Sequence, residues 1–135
     1  MQKKRIGYKA VFGILFIMYS CSVSVEKQKV LDKNLSNDFI DRFYQYRKLK
    51  NDSIRFMFTL DTTLGDPINI IRGYDEKYGM LKDYTIKKTN SKIDGGTLFY
   101  EVFTVVNYEN KSAVSESFLI ESKNDTMIIT GYHLK

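Results

Sequence analysis

The chain has 135 residues, with 21 basic and 16 acidic side chains, one histidine, one cysteine and no tryptophan. A lone cysteine excludes an internal disulfide, and one histidine beside it cannot supply the three or four such ligands of a zinc site. Four basic residues and no acid fall within residues 1–20, so the formal +5 drops to 17 against 16, or +1, beyond them; no cationic face of the kind that recognises nucleic acid is left.

The chain opens on Lys3, Lys4, Arg5 and Lys9, followed by an apolar run from Val11 to Tyr19 and then Ser20-Cys21. Charged, apolar and small residues in that order make a secretory signal. With the cysteine at its end, the segment resembles a bacterial lipoprotein signal, Met18-Tyr19-Ser20-Cys21 standing where those read Leu, a small residue, Gly, Ala or Ser, and Cys. Tyr19 is the bulky departure. The resemblance implies removal of residues 1–20 and a diacylglycerol thioether on Cys21 with further acylation of the palmitate type. It also implies a place in the cell envelope, at the outer membrane or on the periplasmic face of a membrane. Two or more fatty chains hold a protein stably where one does not. An uncleaved spanning anchor is the main rival, but the uncharged stretch from Ala10 to Val25 is shorter than the roughly 20 residues a span needs.

Residues 22–33 lack a sustained period and read as a tether. The expected organisation is a signal peptide over 1–20, a lipidated tether over 21–35 and one α+β domain over 36–135. A domain of that length buries roughly two thirds of its unfolded surface and needs no staple. The first helix is expected to start with Ser36 as its cap and Asp38 at its positive end. Phe39, Ile40, Phe43, Tyr44 and Tyr46 recur at three- and four-residue steps as one apolar stripe, leaving Arg42, Arg47, Lys48 and Lys50 in water. Asn51-Asp52 ends it, and Ile54–Phe58 is a short helix or an extended link. The second helix runs from an Asp66 cap through Pro67, the only proline, to Tyr78, with Gly79 as its left-handed stop. Ile70, Ile71, Tyr74 and Tyr78 share a face, and Gly73 in its middle suggests close packing.

From Met80 the period changes to two. Leu81–Thr89, Thr97–Tyr108, Ala113–Ser122 and Thr126–Leu134 read as strands joined by turns at Asp94-Gly95-Gly96, Glu109–Ser112 and Lys123–Asp125. Short turns between successive strands imply antiparallel hairpins. The fold class is therefore α+β, N-terminal helices packed on a four-stranded antiparallel meander.

Tyr78-Gly79-Met80-Leu81, the strand Thr97–Tyr108, and Glu116-Ser117-Phe118 followed by Thr130-Gly131-Tyr132-His133 resemble the cystatin-like group. That group includes the nuclear-transport-factor-2-like fold, with its cone-shaped sheet. Many bacterial envelope lipoproteins resemble it too. The resemblance implies a fold that in different relatives catalyses, binds a small molecule or partner, or dimerises through its sheet, and fold alone does not choose among these.

Catalytic motifs are missing: there is no G-x-S-x-G, P-loop or G-x-G-x-x-G, and Asp61–Asp66 lacks the alternation of a calcium loop. Cone-fold isomerases resemble this order in using an Asp beside a Tyr, which Asp83 with Tyr84, Tyr100 or Tyr132 would imitate. The plainer reading leaves Asp83 solvated, His133 at a surface or edge, and the tyrosines packed with hydroxyls outward. Ten tyrosines exceed what a small core hides, which makes Tyr84, Tyr100 and Tyr132 the candidate binding residues, since tyrosine is enriched where partners dock. Lipidation falls on Cys21; no catalytic residue, metal or cofactor is expected. The function expected is a non-catalytic, membrane-tethered domain that binds a protein partner or small ligand, without nucleic acid. A homodimer, a self-associating structural or immunity-type protein, and the Asp/Tyr enzyme are the alternatives.

Overall fold

The structure, a computed structural model, describes residues 33–59 and 65–135; the expected signal, Cys21 and most of the tether lie outside them. Residues 33–48 are helical (α1), a 3₁₀ turn follows at Asp52–Met57, and α2 spans Pro67–Tyr78. Four strands complete the chain: β1 (Leu81–Asp94), β2 (Thr97–Tyr108), β3 (Val114–Lys123) and β4 (Thr126–Leu134), in one sheet of order β1-β2-β3-β4. Every neighbouring pair is antiparallel. The α+β class and the meander are as the periodicity predicts.

Local chemistry sets the joints. Asp66 accepts from the Ile68 amide as α2's cap, Pro67 takes the first position, and Gly79 at φ +82° ends the helix. Gly95-Gly96 and Asn124-Asp125 take positive φ at both central hairpin positions, the geometry whose twist matches paired strands. Strand β1 reaches Asp94 rather than Thr89, because its register with β2 continues to Asp94 opposite Thr97.

Three placements on the helices differ from the sequence expectations, besides that of Arg47, which is buried rather than in water. Ser36 does not cap α1: it lies inside the helix, fully buried, with its hydroxyl donating to the Lys33 carbonyl at 2.8 Å. On α2, Ile68 and Ile71 are buried while Ile70 is exposed. Among the described residues Gly73 packs against nothing, since a Cβ there would have open space.

Both helices and the 3₁₀ turn contribute to a core closed by the inward side chains Tyr100, Val102, Val106, Tyr108, Phe118, Ile120 and Ile129 of the sheet. Phe43 of α1 meets Phe118 edge-on at 4.9 Å and Tyr44 stacks on Tyr84 at 4.0 Å. Tyr84 donates to Asp41 at 2.7 Å and Thr89 to Asn37 at 2.8 Å, tying the helix to β1. The edge strand β1 carries exposed Lys82, Lys87, Lys88 and Lys92 and two register shifts, devices that discourage edge-to-edge pairing. At the other edge, Phe58 forms a parallel bridge to Ile129.

Outward residues of β2 (Phe99, Phe103, Val105) are half-buried, and Lys92 lies over the Phe99 ring at 5.8 Å. A long lysine stem thus covers apolar sheet surface while its charge stays in water.

Candidate functional site

Arg47 breaks the expected pattern. It follows Phe43 by four residues and Tyr44 by three, so the pitch of α1 carries it onto the buried face, and its side chain is fully buried. The opposing break is Glu116, which alternation places between inward Val114 and Phe118 on β3. The two meet at 3.0 Å, both side chains fully buried.

The hydroxyls around them fix the proton arrangement. Tyr44 donates to Glu116 Oε2 at 2.7 Å and Tyr108 to Glu116 Oε1 at 2.5 Å. Each phenol has one proton, so the 2.6 Å contact between Tyr44 and Thr104 is donated by Thr104. Arg47 then donates Nη1 to Glu116 Oε1 and to Tyr132 Oη at 3.2 Å, and Nη2 to Tyr108 Oη at 2.7 Å and to Asp75 at 3.4 Å. Its guanidinium also sits over the Tyr108 ring, 5.1 Å from the centroid. Only Nε has no hydrogen-bond partner among the described residues. Accepting from three donors and giving none, Glu116 acts as a carboxylate.

Burial and this carboxylate set the proton affinities. Burial first, and Glu116 second, push the Tyr44 and Tyr108 hydroxyls far above the ordinary tyrosine range. Tyr132 is raised for the same two reasons. Burial and the Asp41 hydrogen bond push Tyr84 up to about 12. Burial opposes the charge on Arg47, but Tyr132, Glu116, Tyr108 and Asp75 around it outweigh that opposition and hold the proton more tightly than usual. Asp75 is the unequal partner. It contributes least to holding the Arg47 charge, while burial raises its own carboxyl more than Arg47 lowers it.

Arg47 and Asp75 also line a cleft of about 470 Å³ at the end of α1, between the 3₁₀ turn and α2. Ile54, Ile68 and Ile71 give it an apolar wall; Lys50, Arg72 and Glu76 stand at its polar side. Asp75, with a side chain 26% exposed, is where the buried network reaches this space. An apolar cleft with a few converging polar groups is the usual form of a ligand site, and a carboxylate whose affinity is shifted by burial beside a specific charge is a common mark of one. Gly79 and Glu109 also line it. A Cβ on Gly79 would lie 2.8 Å from Glu109 Cβ, so only glycine permits that approach.

The tyrosines singled out from the sequence are placed otherwise. Tyr100 is fully buried in the core, Tyr84 is occupied with Asp41 and Tyr44, and Tyr132 joins the Arg47 network through its hydroxyl. None of the three lines the cleft. Asp83 is exposed and accepts from Asn107 at 2.7 Å. It pairs with an outward residue of β2, whereas Tyr84 pairs with inward Val106, so the sheet separates the two. His133 is exposed on β4. Among the described residues no group of three or more His, Cys, Asp or Glu is placed to hold a metal ion, and no helix is long and apolar enough to cross a membrane.

No known protein family matches the chain, and no curated protein or solved structure matches it either.

Proposed function

We propose that this protein is a non-catalytic envelope domain, held to a membrane by acylated Cys21, that takes a small ligand or a segment of a partner protein into the cleft beside Arg47 and Asp75. The observation that carries the binding reading is the cleft itself. An isoleucine wall faces a carboxylate that burial has made reluctant to ionise, and a buried cation stands behind it. A group with both apolar surface and a hydrogen-bonding end suits that wall. The anchor reading is supported by the basic, apolar and Ser20-Cys21 order of the N-terminus. A cystatin-like assignment is supported by helices followed by a four-stranded antiparallel meander.

A photo-crosslinking residue at Arg72, on the cleft, tests the binding reading in intact envelopes, with the same residue at Phe103, on the outer sheet face, for comparison. An adduct from position 72 alone is expected. Adducts from neither position, with native mass spectrometry showing a protein free of small molecules, would sink it. Mass spectrometry of the purified chain tests the anchor separately: loss of residues 1–20 and an acyl mass on Cys21 are expected, and an intact Met1 on an unmodified chain contradicts it.

A further inference from the structure

Along the border of its core stripe, where Phe39 is buried and Tyr46 half-buried, α1 carries a row whose Leu35, Arg42 and Leu49 stand exposed. Leu35, Phe39, Arg42, Tyr46 and Leu49 follow one another at four- and three-residue steps, so they share a face of the helix. Leu35 is 48% and Leu49 76% exposed, and Phe56 on the neighbouring 3₁₀ turn is 81% exposed. Phe39, Arg42, Tyr46, Phe56 and Met57 border one shallow groove of about 270 Å³, which joins the helix row to the Phe56 ring. Phe56 stands in water at the edge of this groove, and Leu35 and Leu49 are exposed along the same side of the helix, apolar surface open to a partner.

We propose that this row rests on the lipid bilayer, with Phe56 and Leu49 inserted at the level of the headgroups. The inference depends on the anchor at Cys21 proposed above, because the position of the patch follows from it. Lys33, where the described part of α1 begins, is twelve residues from Cys21, a chain that reaches about 40 Å when fully extended. The row therefore begins within a tether's length of the bilayer. Its charges agree with that setting: Arg42 lies within the row and Lys50 at its end, both exposed, and long basic stems lie along apolar surface while their heads reach phosphate. Acidic Asp38 borders the row as well. The local charge is mixed, so insertion of apolar side chains adds the affinity, as at an interfacial helix. Docked this way, the cleft beside Asp75, which shares Tyr46 with the groove, opens close to the membrane surface.

The chain has no tryptophan, so Phe56→Trp supplies a single reporter at an exposed position. The full chain, purified from membranes, is returned to vesicles of phosphatidylethanolamine and phosphatidylglycerol with brominated acyl chains. Emission of the Phe56→Trp chain is expected to shift to the blue and to fall by roughly half, the depth of an interfacial side chain, while Leu119→Trp on the outer sheet face stays unquenched. A Phe56→Trp chain that floats with the vesicles but keeps its indole in water overturns the docking and leaves the anchor standing. Blue-shifted emission without bromine quenching overturns it too, and assigns the patch to protein: its own chain, a second copy or a partner. A chain that does not float with the vesicles overturns both readings.

Discussion

Arg47 and Glu116 are 69 residues apart in sequence and 3.0 Å apart in the core. The contact fastens the end of α1 to the third strand of the sheet, at the depth where Tyr44, Tyr108 and Thr104 converge. Two charges out of water cost several kcal/mol each. Here the Tyr44 and Tyr108 hydroxyls give the carboxylate two further donors, and the guanidinium uses four of its five, so most of the polar groups removed from water are satisfied. The arrangement also fixes register, because a one-residue slip of β3 would turn Glu116 outward.

Removing only the cation should therefore be severe. Arg47→Met leaves Glu116 buried without a counter-charge and should cost about 3–5 kcal/mol. Adding Glu116→Gln removes the stranded charge while keeping an acceptor for one of the two phenols and turning an amide donor toward the oxygen of the other. The double variant should lose less than Arg47→Met alone, with a coupling of about 1–3 kcal/mol. Urea denaturation of the four chains of this cycle measures it, and additive losses would show that the pair is incidental to stability.

Alkali should unfold the protein by a particular route. Tyr44, Tyr108 and Tyr132 hold their protons well above the ordinary value, and Tyr84 is pushed up to about 12. In the unfolded chain these phenols titrate near 10. Above that pH the unfolded state binds fewer protons than the native one, so stability falls as pH rises. The contribution is complete below pH 10, and the part due to Tyr84 is gone by about pH 12. Phenolate absorbance of these four tyrosines should thus appear together with the loss of circular dichroism. A smooth titration of all ten tyrosines ahead of unfolding would refute this.

What the sequence shows and what it hides separate along physical lines. The Asp66-Pro67 start and Gly79 stop of α2, the two-residue turns and the period-two strands are local, and each is readable from a few adjacent residues. Composition alone places Arg47 in water, because an isolated arginine on a helix normally is. Its signal was present as a departure: a charge at the correct step from Phe43 and Tyr44 to sit on the apolar stripe, and a second charge, Glu116, at an inward position of a strand. Neither departure means anything until the sheet brings them together, and no local rule supplies that meeting. Tyrosines suggested a binding face by number alone. The fold instead uses Tyr44, Tyr108 and Tyr132 to solvate a buried ion pair and Tyr100 to fill the core, while the cleft is walled by isoleucines.

Asp75 should be expendable for stability though not for binding. Burial raises its carboxyl, so its contribution to stability is complete below the unfolded value of 3.8 and is lost as pH rises through the folded value. The 3.4 Å contact with Arg47 is long for an ion pair. Asp75→Asn should leave neutral-pH stability within about 0.5 kcal/mol of the parent or slightly above it, and should flatten the decline that begins as pH rises above the unfolded value. Urea melts across that decline would show it. A loss of more than about 2 kcal/mol would make the contact a structural one, and the cleft would lose its readiest recognition group.

Two glycines of the same helix–strand segment should respond in opposite directions to the same added methyl group. Gly79 has φ +82°, and its Cβ would lie 2.8 Å from Glu109 Cβ, at the place where the Met80 amide donates to Glu109 Oε2 and the Glu109 amide to the Met80 carbonyl. Alanine there must adopt a left-handed backbone and displace that tight corner, at a cost of about 1–3 kcal/mol. Gly73 lies within α2 with open space around the position of a Cβ and no positive φ. Alanine there lowers the entropy of the unfolded chain and should stabilise by about 0.5–1 kcal/mol. Thermal melts of the two variants give the signs directly. If Gly73→Ala destabilised, the exposed face of α2 at that position would have to be packed against something, which would move the partner surface from the cleft to the back of the helix.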